Sequence, residues 1–288
     1  MGNDTVIAGT ARWTAAARAR ESARPDRLFD DPWAALLAEP DGFEMLAARE
    51  PDGVENPYLP VRTRFFDDLI VTHSGWATQI VLLGAGHDTR AVRLPLPDTV
   101  TVFALDQPDV LIPTEAVITH ARTQKHNTAE WRPVAVDLAA PWDHHLLSAG
   151  FHPGSPTLWI AEGLLFYLTD AQVHESLNLA ANLSQDRAVL AADIFGTGLL
   201  ELPAMRGLVE HRRATATPLP YCTDTPDLLL TRTGWTPDHI VEPGQPQANF
   251  GRLRTLPHDW SGGKNPTLRT YLVIGQTKPT TPTEPPRR

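Results

Sequence analysis

The chain has 288 residues, a formal net charge of −9, 42% hydrophobic and 20% charged residues, and a single cysteine, Cys222. That is a globular composition, and the length suits one Rossmann-like domain with an elaboration rather than two equal domains. One cysteine excludes an internal disulfide framework and a cysteine-rich zinc site. The lack of a Lys/Arg block leaves no nucleic-acid footprint, and no run approaches the ~18 apolar residues of a membrane span.

The opening residues, MGNDTVIAGTARWTAAARAR, lack the basic start and apolar run of a signal peptide. With no span and no leader, the expectation is a soluble, cytoplasmic protein. Residues 10–23 are rich in Ala and Arg and predict a helix that Pro25 ends. Asp30-Asp31-Pro32 reads as the start of a second helix, an acidic cap before a first-turn proline, with Trp33, Leu36 and Leu37 on its apolar face. Residues 39–60 carry four prolines and two glycines and read as a loop or a broken helix. Residues 61–74 predict a further helix, with Phe65, Leu69 and Phe66 inward.

The pattern then changes to short continuous apolar runs, as in parallel strands buried on both faces. They cover 79–83, 100–105, 132–136, 157–161 and 188–192. The first ends in Gly84-Ala85-Gly86, and the others end at Asp106, Asp137, Glu162 and Asp193. Helical patterns follow at 164–182, 199–215 and 223–234, with a turn at Gly234-Trp235-Thr236 and a late strand at 270–274. The expected fold is α/β, a Rossmann-like doubly wound, mostly parallel sheet with an N-terminal helical extension and inserted lid helices. The expected organisation is a helical cover over residues 1–74, the Rossmann-like domain over 75–277 with a lid at about 199–227, and a tail, 278–288. That tail is a Pro/Thr run that cannot bury apolar area and is expected to be disordered.

In an open parallel sheet the ligand crevice lies at the carboxyl ends of the strands. Asp106, Asp137, Glu162 and Asp193 should therefore converge on one edge. Residues 80–90 read IVLLGAGHDTR. Two glycines let the backbone turn sharply and approach a ligand, but the third glycine of a dinucleotide fingerprint is replaced by Thr89 after Asp88. A carboxylate there would repel a pyrophosphate but not a sulfonium-bearing amino acid, which favours S-adenosylmethionine over a nicotinamide dinucleotide. Asp106 follows the loop by about 20 residues, the place of an acid that accepts from ribose hydroxyls.

Five blocks then resemble one family: TARWTAAARARES, RPDRLFDDPWAALL, VRTRFFDDL, VLLGAGHDTRAVRL with FALDQPDVL, and WIAEGLLFYL. Over roughly residues 10–195 the chain resembles the leucine carboxyl methyltransferase-type O-methyltransferases, whose bacterial members include enzymes of polyketide biosynthesis. The resemblance implies the S-adenosyl-L-methionine class I fold and a set of cofactor-binding positions. Arg62 matches the arginine at the carboxylate of the cofactor's methionine part, and Gly84 and Gly86 match the glycine loop. Asp106 matches the ribose acid, Asp137 and Leu138 the adenine segment, and Glu162 an acid near the cofactor's amino group. Tyr167 is the candidate on the acceptor side. Arg18 or Arg20 matches a basic residue reaching in from the first helix. His87 departs from the pattern, at a loop position that can face solvent, and the sequence beyond Phe195 matches poorly.

The expected partner is a small-molecule acceptor, a carboxylate or hydroxyl of a natural-product intermediate, with no nucleic acid, membrane or metal. A carboxylate is already ionised at neutral pH and needs no base, which agrees with the lack of a catalytic dyad. A protein that binds the cofactor without moving its methyl group stands as the alternative, with a nicotinamide-dependent oxidoreductase behind it.

Overall fold

A computed structural model describes residues 3–50, 53–124, 129–202, 205–253 and 269–277, with the backbone alone for 3–8. The expected tail, 278–288, lies outside the described residues. Three helices come first: α1 (Asn3–Ser22), α2 (Ala34–Arg49) and α3 (Tyr58–His73). The sheet and its crossovers follow: β1 (Gln79–Leu83), α4 (Arg90–Arg93), β2 (Thr101–Asp106), α5 (Pro108–Gln124), β3 (Glu130–Ala135), α6 (Asp143–Ser148), β4 (Thr157–Ala161), α7 (Asp170–Leu183) and β5 (Ala188–Phe195). The chain closes through α8 (Arg206–Ala214), α9 (Pro226–Arg232), β6 (Thr236–Val241) and β7 (Thr270–Gln276).

The seven strands lie in the order β3-β2-β1-β4-β5-β7-β6. The first five are mutually parallel, and β7 runs antiparallel to both its neighbours. Strand order reverses between β1 and β4, and a crevice opens at such a switch point above the carboxyl ends. Side chains alternate between the two faces of each strand. On one face Val81, Leu83, Phe103, Leu105 and Trp159 pack with Trp142 just before α6, Leu146 of α6, Val173 and Leu177 of α7, and Leu229 and Leu230 of α9. On the other, Ile80, Leu82, Val102, Ala104, Leu158 and Ile160 pack with Phe66, Leu69 and Ile70 of α3, Val92 of α4, and Leu111 and Ile118 of α5. Both faces are covered, so β1 and β4 are buried along their whole length.

Several local expectations are corrected. The N-cap of α2 is Trp33 and not Asp31; one Asp31 carboxylate oxygen accepts from Trp33 N at 3.3 Å, and the other pairs with Arg18. Residues 39–49 take the second of the two forms expected there, a broken helix, with the break at Glu39, whose φ of 51° starts a new helix at Pro40. Pro40 thus stands in a first turn, where a missing N–H costs nothing. Residues 164–168 continue the apolar period of α7 but form a short 3-10 turn, Leu165–Tyr167. The helix starts at Asp170, where Thr169 and Gln172 make a reciprocal capping box. In place of one helix over 199–215 there are a 3-10 turn, Thr197–Glu201, and α8. The fifth strand does not end at Asp193 but runs on to Phe195, because β7 pairs with it up to Thr270. Sequence reading found neither α5 nor β6.

A third cluster joins α1 to α2 through Ala15, Ala16, Ala17, Leu37, Ala38 and Leu46. The small residues bring the two backbones close at Gly42, where an added Cβ would lie 2.6 Å from the Arg12 carbonyl oxygen. Helix propensity favours alanine over glycine by about 1 kcal/mol, but overpacking against a fixed backbone costs roughly 1–3 kcal/mol. Gly42→Ala is therefore expected to lower stability by about 1–2 kcal/mol in urea unfolding. An equal or raised midpoint would mean that the helices separate freely.

Candidate functional site

The crevice above β1 and β4 is a pocket of about 570 Å³. Its floor is the loop after β1. Gly84 and Gly86 have φ of 67° and 55°, the left-handed region that favours glycine, and a Cβ on Gly84 would meet the Leu164 side chain at 2.9 Å. Asp106, at the end of β2, ties that loop down: its carboxylate accepts from Gly86 N at 2.8 Å and Gln107 N at 2.7 Å. Burial raises the Asp106 carboxyl above its usual value, against the pull of those two N–H groups. Asp137 is exposed just past β3 and accepts from Ala139 N at 2.9 Å, while Leu138 beside it is buried. Arg62, Gly84, Gly86, Asp106, Asp137, Leu138, Glu162 and Tyr167 line this one pocket, whereas Asp193, the fourth strand-end acid, lies outside its lining.

A buried chain of ion pairs forms one wall. Glu162, at the end of β4, receives Arg62 Nε at 3.0 Å on one oxygen and Arg90 Nη2 at 2.7 Å on the other. Arg90 also donates to Asp67 at 2.7 Å and to Asp88 at 2.6 Å. Asp67 holds Arg93 through two bonds of 2.6 Å, and Arg93 Nε stands 3.8 Å from Asp31, which pairs with Arg18 at 2.9 Å. At the other end Arg62 Nη1 reaches Asp193 at 3.2 Å. Burial would lift the Glu162 carboxyl, but Arg90 and Arg62 outweigh it and hold it below its usual value. The same acids keep the Arg62 guanidinium firmly protonated in spite of its burial.

Three readings change on this geometry. Asp88 is no bare charge in the glycine loop, because Arg90 answers it; its repulsion of a pyrophosphate therefore discriminates nothing. His87 does not face solvent. It is 4% exposed, its ring bonds Thr114 at 2.9 Å, and its carbonyl accepts from Arg18 at 2.6 Å. Burial, with Arg18 and Arg12 nearby, pushes it down to about 4, so it is neutral at physiological pH. Of the two arginines left open on α1, Arg18 lines the pocket, and Arg20 turns away to Glu50.

The far wall is aromatic. Arg62 lies over the Tyr58 ring at 5.6 Å; Tyr58, Phe195, Phe166 and Tyr167 follow in ring contact at 6.2, 5.7 and 5.8 Å. Sequence reading did not select Tyr58, Phe166 or Phe195. They are ordinary apolar positions locally, and only the fold brings them beside Arg62. Trp13 and Thr14 of α1 and Leu199 complete the lining.

A family model described as leucine carboxyl methyltransferase matches residues 11–181. A protein of Parafrankia sp., named as an S-adenosyl-L-methionine-dependent methyltransferase, is 37% identical over 248 residues, 81% of this chain and 76% of that one. A Mycolicibacterium smegmatis protein with the same description is 37% identical over 240 residues, 79% and 78% of the two chains. Among solved structures, a Thermobifida fusca protein named as a methyltransferase superposes with a TM-score of 0.55 at 15% identity, covering 91% of this chain and 94% of that one. A DUF574-family protein of Streptomyces avermitilis gives 0.53 at 15% identity, covering 93% and 97%. These two likenesses concern the fold.

Asp67 is the most heavily used carboxylate of the wall. Burial would raise it, but Arg90 and Arg93 outweigh that and hold it below its usual value. A depressed carboxyl lends stability that is complete above the ordinary value of ~4 and is lost as pH falls through the folded one. Asp67→Ala, which leaves two guanidinium groups facing each other, is expected to cost about 3–5 kcal/mol in urea unfolding at pH 7. The deficit should shrink toward pH 3. A loss under about 1 kcal/mol, typical of exposed pairs, would mean that the wall is solvated.

Proposed function

The chain belongs to the leucine carboxyl methyltransferase family, and from that premise we propose that it methylates an oxygen of a small-molecule acceptor, a carboxylate or hydroxyl of a natural-product intermediate. It is a methyltransferase, and its cofactor is S-adenosylmethionine. Membership in a methyltransferase family removes the nicotinamide reading. The observation that carries the proposal is the pairing, in one pocket, of a nucleoside-sized grip at Asp106 with a guanidinium prong at Arg62 that has no bond among the described residues.

The residues present suit that cofactor. Asp106 spends one bond per oxygen on the backbone, which leaves lone pairs for two ribose hydroxyls. In this reading Leu138 packs on the adenine and Asp137 accepts from its amino group. Gly84 and Gly86 let the backbone approach. Arg62 Nη2, without a bond among the described residues, is a donor for the methionine carboxylate. Glu162 offers its remaining lone pairs to the amino group. When bound, S-adenosylmethionine supplies an electrophilic methyl group on a sulfonium.

The protein's part is then alignment and exclusion of water, which can supply several kcal/mol of a displacement barrier. α1 to α3 cover one side; Thr10, Trp13, Thr14 and Arg18 of α1 line the pocket. In this reading the described residues of 199–227 cover the acceptor side, where Leu199 lines the pocket. They are anchored where Tyr221 N donates to Leu168 O and Thr223 N to Phe195 O. Tyr167, 45% exposed at the pocket, faces the acceptor. Two candidate bases of the lining are already engaged, His87 with Thr114 through Nδ1 and Tyr58 with Asp193 through its hydroxyl. That favours an acceptor already ionised, a carboxylate, over a phenol of pKa near ~10.

Labelled S-adenosylmethionine incubated with a panel of organic acids and phenols is expected to label acids as methyl esters. The rate should stay nearly flat from pH 6 to 9, since His87, at about 4, does not titrate in that window. A rate climbing about tenfold per pH unit would point to a hydroxyl that must lose its proton. Label on carbon or nitrogen would overturn the assignment.

A further inference from the structure

Asp193 lies outside the pocket lining, yet it bonds Arg62 itself and two residues around it. Its side chain is 1% exposed. One oxygen accepts from Tyr58 Oη at 2.7 Å and from Arg62 Nη1 at 3.2 Å; the other accepts from Gly163 N at 2.5 Å. Tyr58 and Arg62 are four residues apart at the start of α3 and so share a face. Gly163 has a φ of 68°, and a Cβ there would lie 3.0 Å from Arg62 Nη1. The guanidinium is therefore fixed along its Nε edge by Glu162, at Nη1 by Asp193 and on its face by the Tyr58 ring. The turn after β4 closes against its rim. Nη2 alone is left to the pocket.

A long arginine side chain loses much of its rotamer freedom when it is fixed. If the protein fixes it beforehand, a ligand that bonds it does not bear that cost. We propose that Tyr58 and Asp193 are positioning residues: they hold Arg62 so that Nη2 is aimed at the carboxylate of the cofactor's amino-acid end. Their contribution falls on that end and not on the nucleoside, which sits on Gly84, Gly86 and Asp106. The proposal rests on the reading of Arg62 given under Proposed function.

The test is calorimetric titration of the full chain with S-adenosylhomocysteine and with 5′-methylthioadenosine, a nucleoside thioether that lacks the amino-acid end. Tyr58→Phe keeps the ring under Arg62 and removes only the hydroxyl that steadies Asp193. It should weaken S-adenosylhomocysteine about fivefold and leave methylthioadenosine unchanged. Asp193→Asn, which removes the charge opposite Arg62, should weaken the first ligand about twentyfold with the same selectivity. A merely structural role would lower both affinities together, and that outcome, or an unchanged ratio in folded Tyr58→Phe, overturns the proposal. Should Asp193→Asn not fold, Tyr58→Phe carries the test alone. If the wild type binds neither ligand, the cofactor reading itself falls, and a wild type that binds both equally well removes the role of Arg62.

Discussion

The site depends on one constraint: charges taken out of water must be matched. Arg18, Arg62, Arg90 and Arg93 are set between α1, α3 and the sheet edge, and each meets a carboxylate of Asp31, Asp67, Asp88, Glu162 or Asp193. Apolar residues of similar volume would often hold such a junction equally well, because desolvation offsets most of the Coulomb gain. The network contributes something that an apolar seam does not. It fixes guanidinium groups in place at the pocket wall, with one donor of Arg62 left over. Removal of any member strands a partner, so the helices of the cover and the strands of the sheet are locked in one relative position.

The parallel topology supplies the rest. With β1 and β4 adjacent and their crossovers on opposite faces, the ends of β1, β2 and β4 open into one crevice. The glycine turn, Asp106 and Glu162 are the residues at those three ends. The antiparallel β7 extends β5 to Phe195, which carries Asp193 alongside Glu162 and brings Phe195 against Tyr58 and Phe166. The aromatic wall and the ion network thus share Tyr58: its ring lies in the wall, and its hydroxyl bonds the network. Burial and the neighbouring Asp193 hold that hydroxyl well above its ordinary pKa, so it remains a donor.

Much of the sheet was legible because a strand covered on both faces must be continuously apolar. The runs at 79–83 and 157–161 match β1 and β4 residue for residue. Local patterns failed where tertiary pairing decided the outcome. Arg90, which neutralises Asp88, stands two residues away in IVLLGAGHDTR and could have been read there, but nothing local in that stretch says that His87 is buried against Thr114. Arg62 and Glu162 are 100 positions apart, and their bond has no local signature. The start of α7 was legible in principle, in the Thr169 to Gln172 capping box, but the leucines of 164–168 carried the helical period past it. β6 is an edge strand with Pro237 and a register shift, exposed or half-buried up to Val241, and its residues lack the apolar run of the inner strands. Family resemblance selected positions that do gather in one pocket, yet it did not select Tyr58, and Asp193 stood out only as a strand-end acid; both are bonded around Arg62.

The central claim is that one pocket holds S-adenosylmethionine by its ribose at Asp106 and by its carboxylate at a pre-set Arg62. A crystal structure determined with S-adenosylhomocysteine measures it directly. The account predicts both ribose hydroxyls within about 3 Å of the Asp106 carboxylate and the homocysteine carboxylate within the same distance of Arg62 Nη2, with the bonds from Arg62 to Glu162 and Asp193 intact. A homocysteine carboxylate held elsewhere, or an Arg62 that abandons Glu162 and Asp193 to reach it, would contradict the account.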